Sequence, residues 1–319
     1  MATMKKLAMA TNKAASIFRN TAGCLWATSA ILLVLGTASA QAATLTNGSL
    51  NVTIRDDNGA IDAIRFGGSD FYNPGTPVSD FGFQNGTDTS TFVVNTTTGV
   101  TQQPVSVTSG SGFVAVTGTY TGGGANVDFT RTYSLVDGLD VLRTTTNFVN
   151  KGSDVMLRYF DTFDPDQGID QGRGFGTFND VLTLSTGAGL AKVGQATDTG
   201  GLTVVLGSLI PNVTIASGDP FQIGDGFTLN NFFSSPFDGN GSFVDNGTHI
   251  GGIQMLLSAG GSSNFVFDQG YGTSIAQAQE QFIRANSASV PEPASTLGVL
   301  AFGALGAGSM LKRKQQQKA

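Results

Sequence analysis

Histidine, cysteine and tryptophan occur once each in this chain, and glutamate is nearly missing from its long middle. Between residues 43 and 289 there are 21 Asp but a single Glu, Glu280, against nine Lys plus Arg. These scarcities close several classes of function. A lone His249 cannot supply the three protein ligands of a catalytic zinc. It would also be the sole base for a serine nucleophile, and the chain has no G-x-S-x-G elbow. The one cysteine, Cys24, lies near the N-terminus, so the middle of the chain must be stable without a disulfide. The middle carries a net charge of −13, which terminal basic segments mask to −6 for the whole chain. That acidity excludes nucleic acid and direct attraction to anionic lipid, and leaves cations and neutral glycans as partners. Asp in place of Glu also follows from turn-rich structure, because Asp, Asn and Gly form turns and Glu favours helices.

The two ends carry the clearest patterns. Lys5, Lys6, Lys13 and Arg19 form a basic region without acids, Leu25 to Leu35 is apolar, and Ala38-Ser39-Ala40 and Ala40-Gln41-Ala42 both fit an A-x-A cleavage site. Residues 1–42 are therefore expected to be a secretory signal peptide, removed by signal peptidase after Ala40 or Ala42 and taking Cys24 and Trp26 with it. Cys24 precedes the apolar run, which argues against a lipoprotein. At the other end, Val290-Pro291-Glu292-Pro293-Ala294-Ser295 leads into an apolar stretch, Thr296 to Leu311, and then Lys312-Arg313-Lys314. As a helix, that stretch spans roughly 24 Å at about 1.5 Å per residue, a marginal single crossing of the ~30 Å hydrocarbon core. Lys312, Arg313 and Lys314 act as the membrane stop and stay on the cytoplasmic side, which leaves the preceding chain outside.

This order of Pro291-Glu292-Pro293, short apolar segment and basic end resembles the PEP-CTERM sorting signal of Gram-negative bacteria, across about a tenth of the chain. The resemblance implies recognition and cleavage by an exosortase, a protease in the membrane, after passage through the general secretion machinery. It also implies a transient inner-membrane anchor and a final place at the cell surface or in the extracellular matrix. Proline on both sides of Glu292 keeps the motif extended and outside the following helix.

The body, 43–284, is expected to be an all-β antiparallel sandwich, with 285–289 as a linker to the 290–319 segment. Leu50 to Ile54 alternates, Asp57-Asn58-Gly59 turns, and Ala60 to Phe66 returns as a hairpin. Phe81 to Phe83 and Phe92 to Val94 read as short strands. Phe113 to Tyr120, Val127 to Tyr133 and Val141 to Val149 read as three consecutive antiparallel strands, followed by Val155 to Phe160. Further strands are expected at Val181 to Leu184, Leu202 to Leu206, Ile250 to Leu257 and Asn264 to Phe267, with polar loops over 164–175 and 230–246. Ile275 to Arg284 is the one expected helix, with Ile275, Ala278 and Phe282 on its apolar face.

The opening Asn47-Gly48, the glycine-centred turn, and Phe129-Thr130-Arg131-Thr132-Tyr133-Ser134-Leu135 leading to Asn147 resemble the start of a galactose-mutarotase-like supersandwich. The likeness implies the sandwich architecture. It implies none of the chemistry, because the family's His and Glu pattern is not matched: His249 is the sole His, and no body Glu precedes Glu280.

The densest acidic stretch runs from Tyr159 to Asp170. Asp164, Asp166 and Asp170 alternate like oxygen ligands of Ca²⁺, but the closing bidentate Glu of an EF-hand is missing, and a solvated turn is the preferred expectation. Asp161 with Asp164 or Asp166 is a weaker candidate for a glycosidase carboxylate pair. Phenylalanine dominates the aromatics and is assigned mainly to the core. With no catalytic residue assigned and no required cofactor, the reading that emerges is a non-catalytic surface or matrix protein in adhesion or exopolysaccharide association. The alternative is a carbohydrate-binding sandwich, with calcium as an optional aid.

Overall fold

The computed structural model describes residues 42–72, 79, 81–86, 91–94, 104–218, 229–236, 238–239, 241–245 and 248–287. The expected signal peptide, apart from Ala42, lies outside these residues. So do Pro291, Glu292, Pro293, the apolar stretch and Lys312-Arg313-Lys314. Among the described residues no helix is long and apolar enough to cross a membrane.

The chain opens with β1 (Ala43–Asn47), β2 (Leu50–Ile54), β3 (Ile61–Phe66) and β4 (Ser69–Tyr72), a four-stranded meander. It continues through β5 (Phe81–Asn85), β6 (Thr91–Val94), β7 (Val105–Gly110), β8 (Phe113–Tyr120), β9 (Val127–Leu135), β10 (Val141–Asn150) and β11 (Val155–Phe163). Next come β12 (Gly176–Thr186), β13 (Gly189–Thr197), β14 (Thr203–Ser208), β15 (Thr214–Gly218) and a short helix, α1 (Leu229–Ser234). The described part ends with β16 (Ser242–Asp245), β17 (Thr248–Leu257), β18 (Ser262–Gly272) and α2 (Ile275–Ala285). Nine strands form one sheet in the order β16-β12-β13-β14-β18-β10-β9-β8-β7, and five form another in the order β15-β17-β11-β5-β6. The strand pairs are antiparallel, giving the expected all-β sandwich.

Alternation writes the core. Along β9, Val127, Phe129, Arg131 and Tyr133 are buried and the residues between them are less so. Phe83 from β5 and Tyr159 from β11 meet Phe129, Phe148 and Phe265 from the nine-stranded sheet, with ring centroids 5.0 to 6.0 Å apart. Each buried aromatic or aliphatic side chain contributes about 1.5–3 kcal/mol of transfer free energy. The meander docks on this core through its β2–β3 turn. Gly59 has φ +73°, and a Cβ there would lie 2.2 Å from Val116, so only glycine lets the turn sit this close. The Tyr133 hydroxyl donates to its carbonyl at 2.8 Å.

Helix α2 covers part of the outer face of the nine-stranded sheet. The Ser274 hydroxyl accepts from the Gln277 amide at 3.3 Å and caps its N-terminus. Ala278, Phe282 and Ala285 form its buried face, whereas Ile275, expected on that face, is 43% exposed because it sits in the first turn, beyond the sheet. The helix can approach because β18 presents glycine: a Cβ on Gly272 would lie 2.5 Å from the Ala278 nitrogen. Ala285 and Asn286, placed in the linker by sequence, are buried, and the Asn286 amide donates to Asp268 at 2.9 Å. They belong to the folded body.

The three consecutive antiparallel strands are β8, β9 and β10. The sequence reading overlooked β1, β4, β7, β13 and β15, and the 230–246 region, expected to be loop, holds most of α1 and β16. Strand β13, Gly189-Leu190-Ala191-Lys192-Val193-Gly194-Gln195-Ala196-Thr197, is too rich in Gly and Ala to stand out on its own. Its pairing with β12 and β14 specifies it instead.

Candidate functional site

The stretch from Tyr159 to Asp170 forms a densely bonded polar region among the described residues. Strand β11 turns Val155, Leu157, Tyr159, Asp161 and Phe163 inward, which places one carboxylate on an otherwise apolar face. β9 does the converse, with Arg131 between Phe129 and Tyr133. The two charges meet between the sheets. The Arg131 guanidinium donates to both carboxylate oxygens of Asp161, one contact at 3.0 Å, and to the Tyr159 hydroxyl. The Tyr159 hydroxyl also lies 3.0 Å from Thr146 on β10. Arg131 is flanked by the rings of Phe81 and Tyr133, 4.8 and 4.7 Å from their centroids.

Burial works against the charged guanidinium, but the Asp161 carboxylate and the neighbouring tyrosines outweigh it and raise the Arg131 pKa well above its ordinary value. Burial likewise raises the Tyr159 and Tyr133 phenols. Asp161 on β11 is thus paired with Arg131 on β9, an ion pair that ties the two sheets together.

Beyond β11 the chain straps itself across the meander and the nine-stranded sheet. The Asp166 and Gly168 amides donate to the Phe71 and Asp70 carbonyls at 3.2 and 2.8 Å. The Gln167 side chain donates to the Ala196 carbonyl at 2.9 Å. Arg173 pairs with buried Asp198 at 2.8 Å. Asp164 and Asp166 are 4% and 2% exposed, so the expected solvated turn is instead a buried strap. Asp170 takes a different direction: it accepts from the Asp70 amide at 3.1 Å and faces Arg65 at 3.6 Å. The three candidate calcium ligands are not gathered, and among the described residues no group of three or more His, Cys, Asp or Glu side chains could hold a metal ion. His249 stands in β17, in register with Phe163 and Ser217.

A second polar site lies beside the end of α2. Arg143 on β10 and Asp268 on β18 are direct cross-strand partners, bonded at 2.7 and 2.8 Å, and Arg143 also donates to the Ala285 carbonyl. They line a cavity of about 370 Å³ together with Leu209, Ile210, Pro211 and Asn286. The hydrogen bonds that Arg143 donates to Asp268 raise its pKa over the opposing effect of burial. The sequence reading missed both Arg–Asp pairs. A signal for the first was present: an Arg in the apolar phase of β9 and an Asp in the apolar phase of β11.

One expectation about the aromatics also changes. Phe178 and Phe243 pair across β12 and β16 at 5.0 Å, yet are 47% and 51% exposed, so they are surface residues and not core.

No family model and no curated protein matches the sequence. Among solved structures, the body is similar to part of a bacterial glucoamylase complexed with acarbose, with a TM-score of 0.52 at 14% identity over 79% of this chain. The match spans 35% of the glucoamylase. A polysaccharide lyase gives a TM-score of 0.45 at 14% identity, covering 76% of this chain and 35% of the lyase. A galactose mutarotase-like protein from Lactobacillus casei gives 0.42 at 10% identity, covering 73% of this chain and all of that one. The chain therefore shares its sandwich fold with a segment of the glucoamylase.

Proposed function

We propose that this chain is an exported, non-catalytic protein of the Gram-negative cell surface or extracellular matrix. An exosortase-like membrane protease would sort it through Pro291, Glu292 and Pro293, with Lys312, Arg313 and Lys314 as the membrane stop. The single observation carrying this reading is the ordered tail: an extended Pro-Glu-Pro motif, an apolar segment of marginal spanning length and a terminal basic cluster, opposite an N-terminal signal peptide. The body would then work through adhesion or association with extracellular polysaccharide. Its electrostatics support a non-catalytic role, since Asp161, Asp198 and Asp268 are each held by an arginine.

The second reading is a carbohydrate-binding module or, more remotely, a glycan-active enzyme. The fold shared with a glucoamylase segment favours glycans as the ligand class, but a fold does not transfer its chemistry. Buried Asp164 and Asp166 are the carboxylates on which an enzymatic reading would depend. Replacing Pro291, Glu292 and Pro293 by Ala tests the sorting step. The expected result is that processing stops and the protein stays in the inner membrane; unchanged processing and location would refute it. Turnover of a glycan panel, lost on Asp164→Asn or Asp166→Asn with the fold intact, would replace the non-catalytic reading.

A further inference from the structure

The outer face of the nine-stranded sheet is only partly covered by α2, which packs on β18, β14, β12 and, at its C-terminal end, the Arg143 end of β10. Toward the β7 edge the outward side chains follow an ordered pattern. Register aligns Ser106 with Thr117, Thr117 with Thr130, Thr130 with Asn147 and Asn147 with Asn264, so five adjacent strands place one hydroxyl or amide each in a single cross-strand row. Two residues along, Thr108, Thr132 and Thr145 continue the pattern with Ala115 and Val266 between and beside them. Members of a row are spaced about 4.8 Å apart and successive rows about 6.8 Å apart. Ser106, Thr117, Asn147 and Asn264 are exposed and Thr130 is half-buried. Among the described residues, the side chains of Thr130, Asn147 and Asn264 are engaged in no hydrogen bond within the protein. Beside the row opens a groove of about 650 Å³ lined by Pro104, Ser106, Thr117, Thr119 and Thr130, with the Asp128 carboxylate on its wall.

Threonine suits exposed strands, and cross-strand Thr pairs stabilise a sheet. Sheet stability alone does not require the absence of charge. In a body with 21 Asp, neither row contains a charged residue. Charges flank the rows: Asp128, 4.0 Å from Lys151, lines the groove and accepts from the Thr119 hydroxyl, and the Arg143–Asp268 pair lies toward α2. An apolar partner would desolvate these hydroxyls and amides without replacing their hydrogen bonds. An anionic polymer would be repelled by the surrounding acidic surface. A neutral polyhydroxylated chain has neither defect, since it offers closely spaced donors and acceptors and no charge.

We propose that this face binds a neutral polysaccharide laid across β7, β8, β9, β10 and β18. The inference rests on the reading of the body as a polymer-associating surface module, and names its contact face. The test is affinity electrophoresis of the exported protein in native gels containing hydroxyethyl cellulose, dextran or, as the anionic control, alginate. The wild type is expected to be retarded by at least one neutral glucan and not by alginate. The triple variant Thr117→Val, Thr130→Val, Asn147→Val keeps strand-favouring shapes and is expected to raise the dissociation constant at least tenfold at an unchanged circular dichroism spectrum. Should the triple variant not fold, Asn147→Asp puts one charge within the row and is expected to weaken binding by a similar factor. Retardation of a folded variant equal to the wild type would move the site elsewhere while leaving the module reading intact. A wild type unaffected by both neutral glucans would overturn both.

Discussion

Removing the charge of Asp161 without changing its shape isolates what holds the two sheets together. The side chains of Arg131 and Asp161 are 2% and 4% exposed, so Asp161→Asn leaves a guanidinium sealed in the core with no counterion. Breaking a buried pair from one side costs about 3–5 kcal/mol, against about 5–15 kcal/mol of total stability for a typical protein. The single variant is thus expected to lose about a fifth or more of its stability. Arg131→Met should cost a similar amount, because it strands Asp161 and removes the stacking on Phe81 and Tyr133. The double variant Arg131→Met, Asp161→Asn leaves no buried charge and is expected to recover much of the loss, giving a coupling energy of about 2 kcal/mol or more. Urea unfolding of the wild type and the three variants, at unchanged slope, reads these differences directly. A cost below about 1 kcal/mol for Asp161→Asn, or additive losses in the double variant, would show that the pair is not the buried clamp described here.

Gly272→Ala is expected to destabilise by about 1–3 kcal/mol in the same assay, because its methyl would meet the Ala278 nitrogen at 2.5 Å and push α2 off the sheet; an unchanged midpoint would contradict that packing. Burial raises the phenols of Tyr133, Tyr159 and Tyr271, so the folded protein keeps protons that the unfolded chain releases. Their contribution to stability is therefore flat below the ordinary tyrosine pKa of about 10 and falls above it, by up to about 1.4 kcal/mol per pH unit for each residue. Phenolate absorbance should accordingly rise together with loss of the circular dichroism signal, and titration of all tyrosines in a folded protein would be the contrary result. Calcium or a chelator is expected to leave the melting temperature unchanged, since Asp164, Asp166 and Asp170 do not converge; a rise with calcium concentration would reveal a site by linkage.

Periodicity made the sandwich legible. Phe113 to Tyr120 and Val127 to Tyr133 alternate strongly enough to declare both strand and inward face. Local composition could not reveal β13, where Gly and Ala leave pairing to decide, nor the role of Gly272, which depends on a helix arriving from later in the chain. The acidic stretch misled for a related reason. Asp164 and Asp166 look like turn residues, but Phe71, Asp70 and Ala196, distant in sequence, supply the carbonyls that bind their loop in place. Arg131 and Asp161 were each visible as a charge out of phase with its strand, and only the fold shows that the two belong together.

The most direct test of the sorting account is the intact mass of the mature protein, recovered from cells and medium of hosts with and without an exosortase. The account predicts an N-terminus at Gln41 or Ala43 and a C-terminus near Pro291 to Ser295, the latter only in the exosortase-bearing host. A mass that retains Lys312 to Ala319 in both hosts would contradict it and make the tail a permanent anchor.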